Sequence, residues 1–250
     1  MNPVCFHIGN HPIYWYGVMV AIAFLAAVAH WNLLAAKGGR PQGYGSELGF
    51  WIMLSGIIGA RIAYVIANFQ AFAAHPIDII RIDQGGLIFY GGFIGAVGAV
   101  AVFARFRKDP LLWVGDLSVS ALPLGHGIGR IGCFMNGCCY GTETCMPWGV
   151  YLEEATRHPT QLYEAGFNFL LYGVLLMVYR RKRQDGIVLA AYLMLYPAGR
   201  FTLEFLRGDE RQHLAWLSIA QVVSILLFVC GLGLWLWIRR GRNVQEPASE

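Results

Sequence analysis

The segment 125–141 (GHGIGRIGCFMNGCCYG) is the most informative part of this chain. It places one arginine, one asparagine and six glycines between long apolar runs. An arginine at membrane depth costs several kcal/mol unless another group pairs with it. Glycines let a backbone or a lipid headgroup approach closely. The segment therefore predicts a membrane helix that holds a cation beside open backbone, an arrangement suited to binding a phosphate group within a bilayer.

The composition around this segment is that of an integral membrane protein. Hydrophobic residues make up 56% of the 250 residues, and charged residues make up only 14%. A soluble domain carries about 25% charged residues. The composition therefore excludes a soluble domain with a large core.

The basic residues indicate the orientation of the chain in the membrane. Twelve of the nineteen lysines and arginines lie in four clusters. The clusters are Lys37/Arg40, Arg105/Arg107/Lys108, 180–183 and Arg239/Arg240/Arg242. They alternate with apolar segments in one phase, so the positive-inside rule places all four in the cytoplasm. This placement removes nucleic acid as the expected partner of the net charge of +4.

Apolar runs of about 20 residues predict seven spans. They cover 13–36, 48–69, 86–104, 112–134, 161–179, 187–206 and 216–238. We expect an all-α polytopic membrane protein with its N-terminus outside and its C-terminus in the cytoplasm. A single transmembrane domain covers 1–242, with small outer segments at about 70–84, 136–160 and 208–215. Residues 243–250 form a polar cytoplasmic tail.

Several ionisable side chains lie in or beside the spans, where an unpaired charge is costly. Arg200 and Glu204 are four residues apart and share a helix face, which Arg207 continues one turn on. Arg130 and Arg200 outnumber their nearest carboxylate, and arginine suits bidentate phosphate contact. We therefore expect both to bind an anionic group. His126 lies one turn before Arg130 and is a candidate proton acceptor.

Arg61, in the second predicted span, has two open interpretations. It forms a structural ion pair with Glu164 or Glu204, or it contacts an anionic substrate. The spacing along the chain does not decide between them.

The six cysteines allow three interpretations. A disulfide from Cys138 or Cys139 to Cys145 is favoured, because disulfides persist outside the cytoplasm. A zinc site is weaker, since CC-x5-C lacks the usual C-x2–4-C spacing. A redox pair resolved by Cys133 is left open, although the chain has no C-x-x-C. We expect no metal and no cofactor, and Cys230 is interpreted as a small residue within a span.

Five motifs in order give the chain a resemblance to the prolipoprotein diacylglyceryl transferases. Residues 129–141 resemble the family signature Gly-Arg-x-Gly-Asn-Phe-x-Asn-x-Glu-x-x-Gly. The others are YWYG at 14–17, GGLIFYGGFIG at 85–95, RHPTQLYE at 157–164 and RFTLEFLR at 200–207. The chain departs from the family pattern at three positions: Tyr90 replaces a histidine, Cys133 replaces the first asparagine of the signature, and Cys138 replaces its glutamate.

The resemblance implies a transferase that moves a diacylglyceryl group from phosphatidylglycerol to a cysteine thiol near the signal peptide of a pre-prolipoprotein. The implied location is the bacterial plasma (inner) membrane, with multiple spans, surrounding membrane lipids and an active site toward the outer leaflet. Glycerol phosphate is the implied product. No nucleic acid takes part.

The resemblance and the residues themselves together predict roles for individual side chains. Tyr90 is expected to donate a hydrogen bond rather than act as a base, because phenols are scarcely ionised at neutral pH. The expected catalytic residues are Arg130, Arg200, Tyr90 and His126. The expected substrate-binding residues are Tyr16, Arg61, Arg130, Asn136, Gly141, Glu204 and Arg207.

Two other classes of function use the same features. A phospholipid-binding or transport protein without turnover would use the same arginines to hold a headgroup. A membrane thiol oxidoreductase would use the outer cysteines and would need a quinone or thiol partner.

Overall fold

A computed structural model describes residues 3–74, 76–82, 85–152, 154–208, 213–214 and 216–245. The fold is mainly helical. The helices are α1 (Trp15–Lys37), α2 (Tyr44–Ala67), α3 (Phe69–Ala74), α4 (Phe89–Arg107), α5 (Leu111–Ser120), α6 (Leu122–Asn136), α7 (Thr160–Arg181), α8 (Ile187–Glu204) and α9 (Ile219–Gln245). A short 3₁₀ helix covers Pro76–Ile80.

Six helical segments in the described ranges are long and apolar enough to cross a membrane. They are Trp15–Lys37, Tyr44–Ala67, Phe89–Arg107, Leu111–Asn136, Thr160–Arg181 and Ile219–Arg240. The predicted polytopic all-α class is confirmed. The sixth predicted span, 187–206, coincides with α8, which contains Pro197 and the charged Arg200 and Glu204. Its crossing of the membrane and the orientation of the chain stay predictions.

Within the described ranges, three short antiparallel hairpins lie among the helices. They pair β1 (Val4–Ile8) with β2 (His11–Tyr14), β3 (Val150–Leu152) with β4 (Ala155–Arg157), and β5 (His213–Leu214) with β6 (Leu217–Ser218). The hairpin of β3 and β4 gives the predicted outer segment 136–160 regular structure. The predicted segment 70–84 is helical over α3 and the 3₁₀ turn. Parts of the predicted segments 70–84, 136–160 and 208–215, and residues 246–250 of the tail, lie outside the described residues.

The chain forms two compact units. One contains the residues up to Ala27 together with those from Asp116 onward, and the other covers Val28–Gly115. The boundaries between the two units therefore fall inside α1 and α5.

In the Val28–Gly115 unit, α2 packs against α4 through residues with small side chains. A Cβ atom on Gly59 would lie 2.4 Å from the carbonyl oxygen of Gly91, and one on Gly95 would lie 2.2 Å from that of Ser55. Gly91 and Gly95 share a face of α4, and Ser55 and Gly59 share a face of α2. The two backbones touch because neither face carries a bulky side chain.

Alanine at Gly95 should therefore destabilise this unit. We expect Gly95→Ala to lower the free energy of unfolding by about 1–3 kcal/mol, because the added methyl group forces the two backbones apart. Gly98→Ala on the same helix is the matched control, since a Cβ there would have no atom within 4 Å. Thermal unfolding of both purified variants measures the difference. An equal stability of the two would contradict the packing described.

The other unit contains a buried anchor at one end of α8. The Asp116 side chain is fully buried and accepts hydrogen bonds from Lys182 Nζ at 2.8 Å, Gly186 N at 2.9 Å and Leu189 N at 2.8 Å. Backbone N–H groups at the start of a helix have no intrahelical partner, so one carboxylate satisfies two of them. Asp116 thus joins α5 to α8 and to the end of α7.

Candidate active site

Arg130 lies on α6 among partly buried residues. Its Nη2 atom is 2.6 Å from Glu164 Oε2, and the two side chains are 15% and 2% exposed. Its Nε donates a hydrogen bond to His126 Nε2 at 3.2 Å, one turn earlier on the helix. A protonated His126 could not accept this bond, so the ring is neutral in this arrangement. The predicted proximity of His126 to Arg130 is confirmed.

Glu164 joins Arg130 to a second arginine. Arg207 Nη1 donates to Glu164 Oε1 at 3.0 Å, and both side chains are 2% exposed. One carboxylate therefore lies between two guanidinium groups, each on its own oxygen. Because removing one partner from a buried ion pair leaves an uncompensated charge, Glu164 is essential to both arginines.

Arg200 and Glu204 form the second ion pair of the site. Arg200 Nη1 is 2.6 Å from Glu204 Oε2 along the same face of α8, as the four-residue spacing predicts. Ser218 Oγ donates to the other carboxylate oxygen of Glu204 at 2.7 Å. With the Arg130–Glu164–Arg207 group, three guanidiniums accompany two carboxylates. The site therefore has one net positive charge, which favours an anionic ligand.

The segment after α6 holds these elements together. Gly137 ends the helix in the left-handed conformation, with φ of 75°. Gly141 N donates to His158 O at 2.9 Å, and Thr142 N donates to Leu206 O at 3.0 Å. The segment is therefore bonded both to the residues before α7 and to those after α8, which brings the ion pairs of three helices into one place.

Gly141 serves this packing. A Cβ atom there would lie 2.6 Å from the carbonyl oxygen of Leu206 and 2.7 Å from side-chain atoms of His158 and Thr160. Its N–H is already bonded to His158. The structure thus gives Gly141 a task in closing the site, whereas the family resemblance implied contact with substrate.

Three thiols lie close together beside the arginines. The Sγ atoms of Cys133, Cys138 and Cys139 are all within 4.8 Å of one another, and those of Cys138 and Cys139 are 3.3 Å apart. Hydrogen bonding with Cys133 is the largest cause that lowers the pKa of the Cys139 thiol to about 5, and the charge of Arg207 adds to it. Burial acts in the opposite direction.

The disulfide favoured from the sequence is absent from the described structure. All six cysteines are free thiols, and Cys145 and Cys230 are exposed. Cys138 and Cys139 are grouped with Cys133 instead of Cys145. The prediction rested on the oxidising compartment expected outside the cytoplasm, which does not show which thiols lie close together. The helix end brings the preceding cysteine back to the pair.

Tyr16 and Asn136 lie at the edge of this thiol group. Tyr16 is 47% exposed and interacts electrostatically with the three thiols and with Arg130. Asn136 is the last residue of α6, is exposed, and its side chain hydrogen-bonds the Cys138 thiol. Both side chains are accessible to a ligand that reaches the arginines.

Arg61 has a different environment in the Val28–Gly115 unit. Its five donors bond five carbonyl oxygens: Ile79 at 2.8 Å, Gly85 at 2.7 Å, Gly86 at 3.0 Å, Asp78 at 2.5 Å and Arg81 at 3.0 Å. A guanidinium has five N–H donors, so none is left for a carboxylate. The suggested ion pair with Glu164 or Glu204 is therefore wrong, and these contacts give Arg61 the task of ordering the chain before α4.

Tyr90 belongs to the same unit and lies in the first turn of α4. Its side chain is exposed, at 56%, and its ring meets the Phe89 ring edge to face at 5.9 Å. The family role expected of Tyr90 stays a prediction.

Two residues that complete the ion pairs, Glu164 and Ser218, were not among the predicted site residues. Glu164 was considered only as a partner of Arg61, although it ends the RHPTQLYE motif and that motif was a signal of its importance. Ser218, which donates a hydrogen bond to Glu204, lies in no motif, so the sequence did not indicate a role for it. A serine at the start of a predicted span is common, so its bonding partner becomes known only from the structure.

Comparisons with known proteins identify the family. The family profile described as prolipoprotein diacylglyceryl transferase matches residues 3–237. The phosphatidylglycerol–prolipoprotein diacylglyceryl transferase of Legionella pneumophila (strain Corby) is 36% identical over 96% of this chain and 98% of that protein. The proteins of the same name from Pseudoalteromonas translucida and Clostridium tetani are 36% and 34% identical, over 95% and 93% of this chain and 92% and 96% of their own lengths. This chain belongs to the prolipoprotein diacylglyceryl transferase family.

Proposed function

We propose that this protein transfers the diacylglyceryl group of phosphatidylglycerol to a cysteine thiol of a pre-prolipoprotein and releases glycerol phosphate. The names of its relatives state the lipid donor and the protein acceptor. The single observation that supports the reaction in this chain is the group of three guanidiniums on two buried carboxylates. The excess positive charge suits a phosphate that gains charge as it leaves.

The chemistry requires this charge at the departing group. The acceptor thiolate attacks a glycerol carbon, the carbon–oxygen bond to phosphate breaks, and its electron pair stays on the phosphate oxygen. Arg130 and Arg200 stabilise that oxygen, because donors already held in place act most strongly where water is excluded. Glu164 and Glu204 orient the two guanidiniums through contacts of 2.6 Å.

His126 accepts the thiol proton in this proposal. In the structure its Nε2 atom accepts a hydrogen bond from Arg130 Nε. When the phosphate binds, Arg130 Nε turns to a phosphate oxygen and leaves the imidazole lone pair open. Binding of the lipid therefore frees His126 to accept the thiol proton. Asn136 and Tyr16 are placed to contact the headgroup or ester oxygens.

We also propose the cellular setting. The protein spans the bacterial plasma membrane, and the site faces the outer leaflet, where the signal-peptide region of the acceptor and the lipid meet. The four basic clusters and the positive-inside rule support this orientation.

A reconstituted transfer assay tests the function. The purified protein is placed in phosphatidylglycerol vesicles with a peptide that carries the acceptor cysteine. We expect a diacylglyceryl mass increase on the peptide and release of glycerol phosphate. A peptide with serine at the acceptor position is the control. Lipid binding without release would favour the transport alternative, and disulfide formation would favour the oxidoreductase. The names of the relatives support neither alternative.

Orientation can be tested with a membrane-impermeant thiol reagent on intact cells. We expect it to modify the exposed Cys145, located by mass spectrometry of the peptides. A cysteine introduced by Arg183→Cys, exposed beyond α7, should react only after lysis. The reverse pattern would invert the orientation and remove the outer-leaflet site.

Tyr90 is tested separately. If Tyr90 donates a hydrogen bond, Tyr90→Phe should lower the rate of transfer without changing its pH profile, because a donor does not titrate in the working range. Tyr90→His, which introduces the usual family residue, should keep substantial activity. Rates measured against pH for both variants decide this. Loss of a basic limb in Tyr90→Phe would instead make Tyr90 the base.

A further inference from the structure

The cluster of Cys133, Cys138 and Cys139 has no task in the reaction proposed above. Three sulfur atoms lie within 4.8 Å of one another, and all three residues are partly buried. An isolated free cysteine usually serves as a small apolar residue. Three thiols that lie close together can instead act as ligands of one metal ion.

The chain folds locally so as to bring the three thiols together. Cys133 lies in the last turn of α6, and Gly137 reverses the chain with φ of 75°. Cys138 N then donates to Cys133 O at 3.2 Å. Cys139 itself has φ of 65°, a left-handed conformation that only a few per cent of non-glycine residues adopt and that often marks functional sites.

The start of α7 holds the two adjacent cysteines in place. Gln161 Nε2 donates to the carbonyl oxygen of Cys138 at 2.6 Å, and Thr160 Oγ1 donates to that of Cys139 at 3.1 Å. Gln161 and Thr160 are fully buried. The thiols are therefore set on a backbone that other residues have already ordered, as a preformed metal site requires.

The distances fit a tetrahedral metal ion. Zinc binds thiolates at about 2.3 Å, so two sulfurs at tetrahedral angles lie about 3.8 Å apart. The cluster has one sulfur pair at 3.3 Å and all pairs within 4.8 Å. Small rotations of the side chains bring the three sulfurs to one centre.

The surrounding charge also fits. A zinc ion with three thiolates has a net charge of −1. Arg130 interacts electrostatically with Cys133 and Cys139, and Arg207 interacts with Cys139. The positive charge of these two guanidiniums therefore favours thiolates over thiols at this position.

We propose that Cys133, Cys138 and Cys139 bind a zinc ion as three thiolates, and that its open fourth position receives the thiol of the acceptor protein. Three protein ligands with one open position are the arrangement of catalytic zinc sites. The role of the fourth position rests on the proposed function, whereas the binding of the metal does not.

The step balances without any further reactant. The acceptor S–H bond breaks as sulfur binds zinc, and the proton passes to His126. A metal-bound thiol is held as the thiolate, which is the attacking form. The sulfur–carbon bond then forms while the carbon–oxygen bond breaks onto phosphate. The product is a thioether, which carries no charge and leaves the zinc.

Metal analysis of the intact protein tests the site. The protein is purified without chelators, reduced, and equilibrated with zinc. We expect about one zinc per chain. Cys133→Ser, Cys138→Ser and Cys139→Ser should each lower the zinc affinity by more than about tenfold, since even loss of a residue that merely orients a ligand has that effect. Cys145→Ser and Cys230→Ser are the matched controls and should bind as the wild type does.

Cobalt substitution supplies a second measurement on the unaltered chain. Cobalt bound by three thiolates should show intense sulfur-to-metal absorption in the near ultraviolet and tetrahedral bands in the visible. Wild-type protein without these bands, zinc retained by all three serine variants, or a Cys138–Cys139 disulfide found by mass spectrometry of unreduced protein would each overturn the site.

The acceptor thiol is tested on the cobalt protein. Adding a peptide with the acceptor cysteine should shift the visible bands, and its serine counterpart should not. An unchanged spectrum overturns the role of the fourth position. Transfer by a protein that binds no zinc overturns this inference and leaves the proposed function intact. Zinc binding without any transfer overturns the proposed function and the role of the fourth position, and it leaves the metal site intact.

Discussion

Arg130→Lys is expected to reduce the rate of diacylglyceryl transfer by about 10²–10³, although the positive charge is retained. Arg130 uses Nη2 for Glu164 and Nε for His126, so its donors point in fixed directions. Lysine is a single point charge on a flexible chain and cannot keep the contact with Glu164 while it directs a second donor to the phosphate. Losing one such donor at a transition state costs about 2.7–4 kcal/mol.

The measurement is the initial rate of peptide modification by folded protein in phosphatidylglycerol vesicles. Arg180→Lys is the matched control, because Arg180 is exposed in the last turn of α7 and far along the helix from Glu164. It should retain the wild-type rate. A wild-type rate in Arg130→Lys would remove Arg130 from the catalytic residues.

Glu164→Gln is expected to lower the free energy of unfolding by about 3–5 kcal/mol, because it leaves two buried guanidiniums without their shared carboxylate. Arg207 and Glu164 are each 2% exposed, so water cannot replace the lost charge. Transfer activity should fall with stability, since Arg130 loses the group that orients it. Thermal or denaturant unfolding in detergent measures the first effect.

Glu143→Gln is the control for this substitution. The Glu143 side chain is 71% exposed and lies 3.5 Å from Arg157, so that pair contributes less than about 1 kcal/mol. If the two glutamine variants unfolded alike, the Arg130–Glu164–Arg207 group would not be the buried centre of this unit. Glu164→Asp retains the charge on a shorter side chain. Comparing it with Glu164→Gln separates the effect of the charge from the effect of side-chain length.

The sequence predicted most of the fold because membrane helices have a strong local signature. Six predicted spans coincide with long apolar helices in the described residues. In lipid, the backbone N–H and C=O groups of each apolar run must bond one another, and a helix achieves this within one segment. The pairing of Arg200 with Glu204 also followed from spacing, because residues four apart share a face of one helix.

Contacts between distant segments were beyond the sequence. Arg61 and Arg130 are both arginines in apolar helices, and composition gave no reason to separate them. Arg61 has five carbonyl oxygens as partners, whereas Arg130 shares a carboxylate with Arg207. Each pairing depends on which chain segment lies opposite the guanidinium.

A polytopic helical membrane protein with the motifs of a diacylglyceryl transferase family can be recognised from the amino-acid sequence alone. Apolar runs and motifs are properties of consecutive residues, so they need no tertiary structure to be recognised. The contacts of Glu164 with two arginines, and of Cys133 with Cys138 and Cys139, became known only from the folded structure. A buried charge must be paired with a group that lies near it in the fold, wherever that group lies in the sequence. For the thiols, the left-handed turn at Gly137 brings Cys138 and Cys139 back to Cys133.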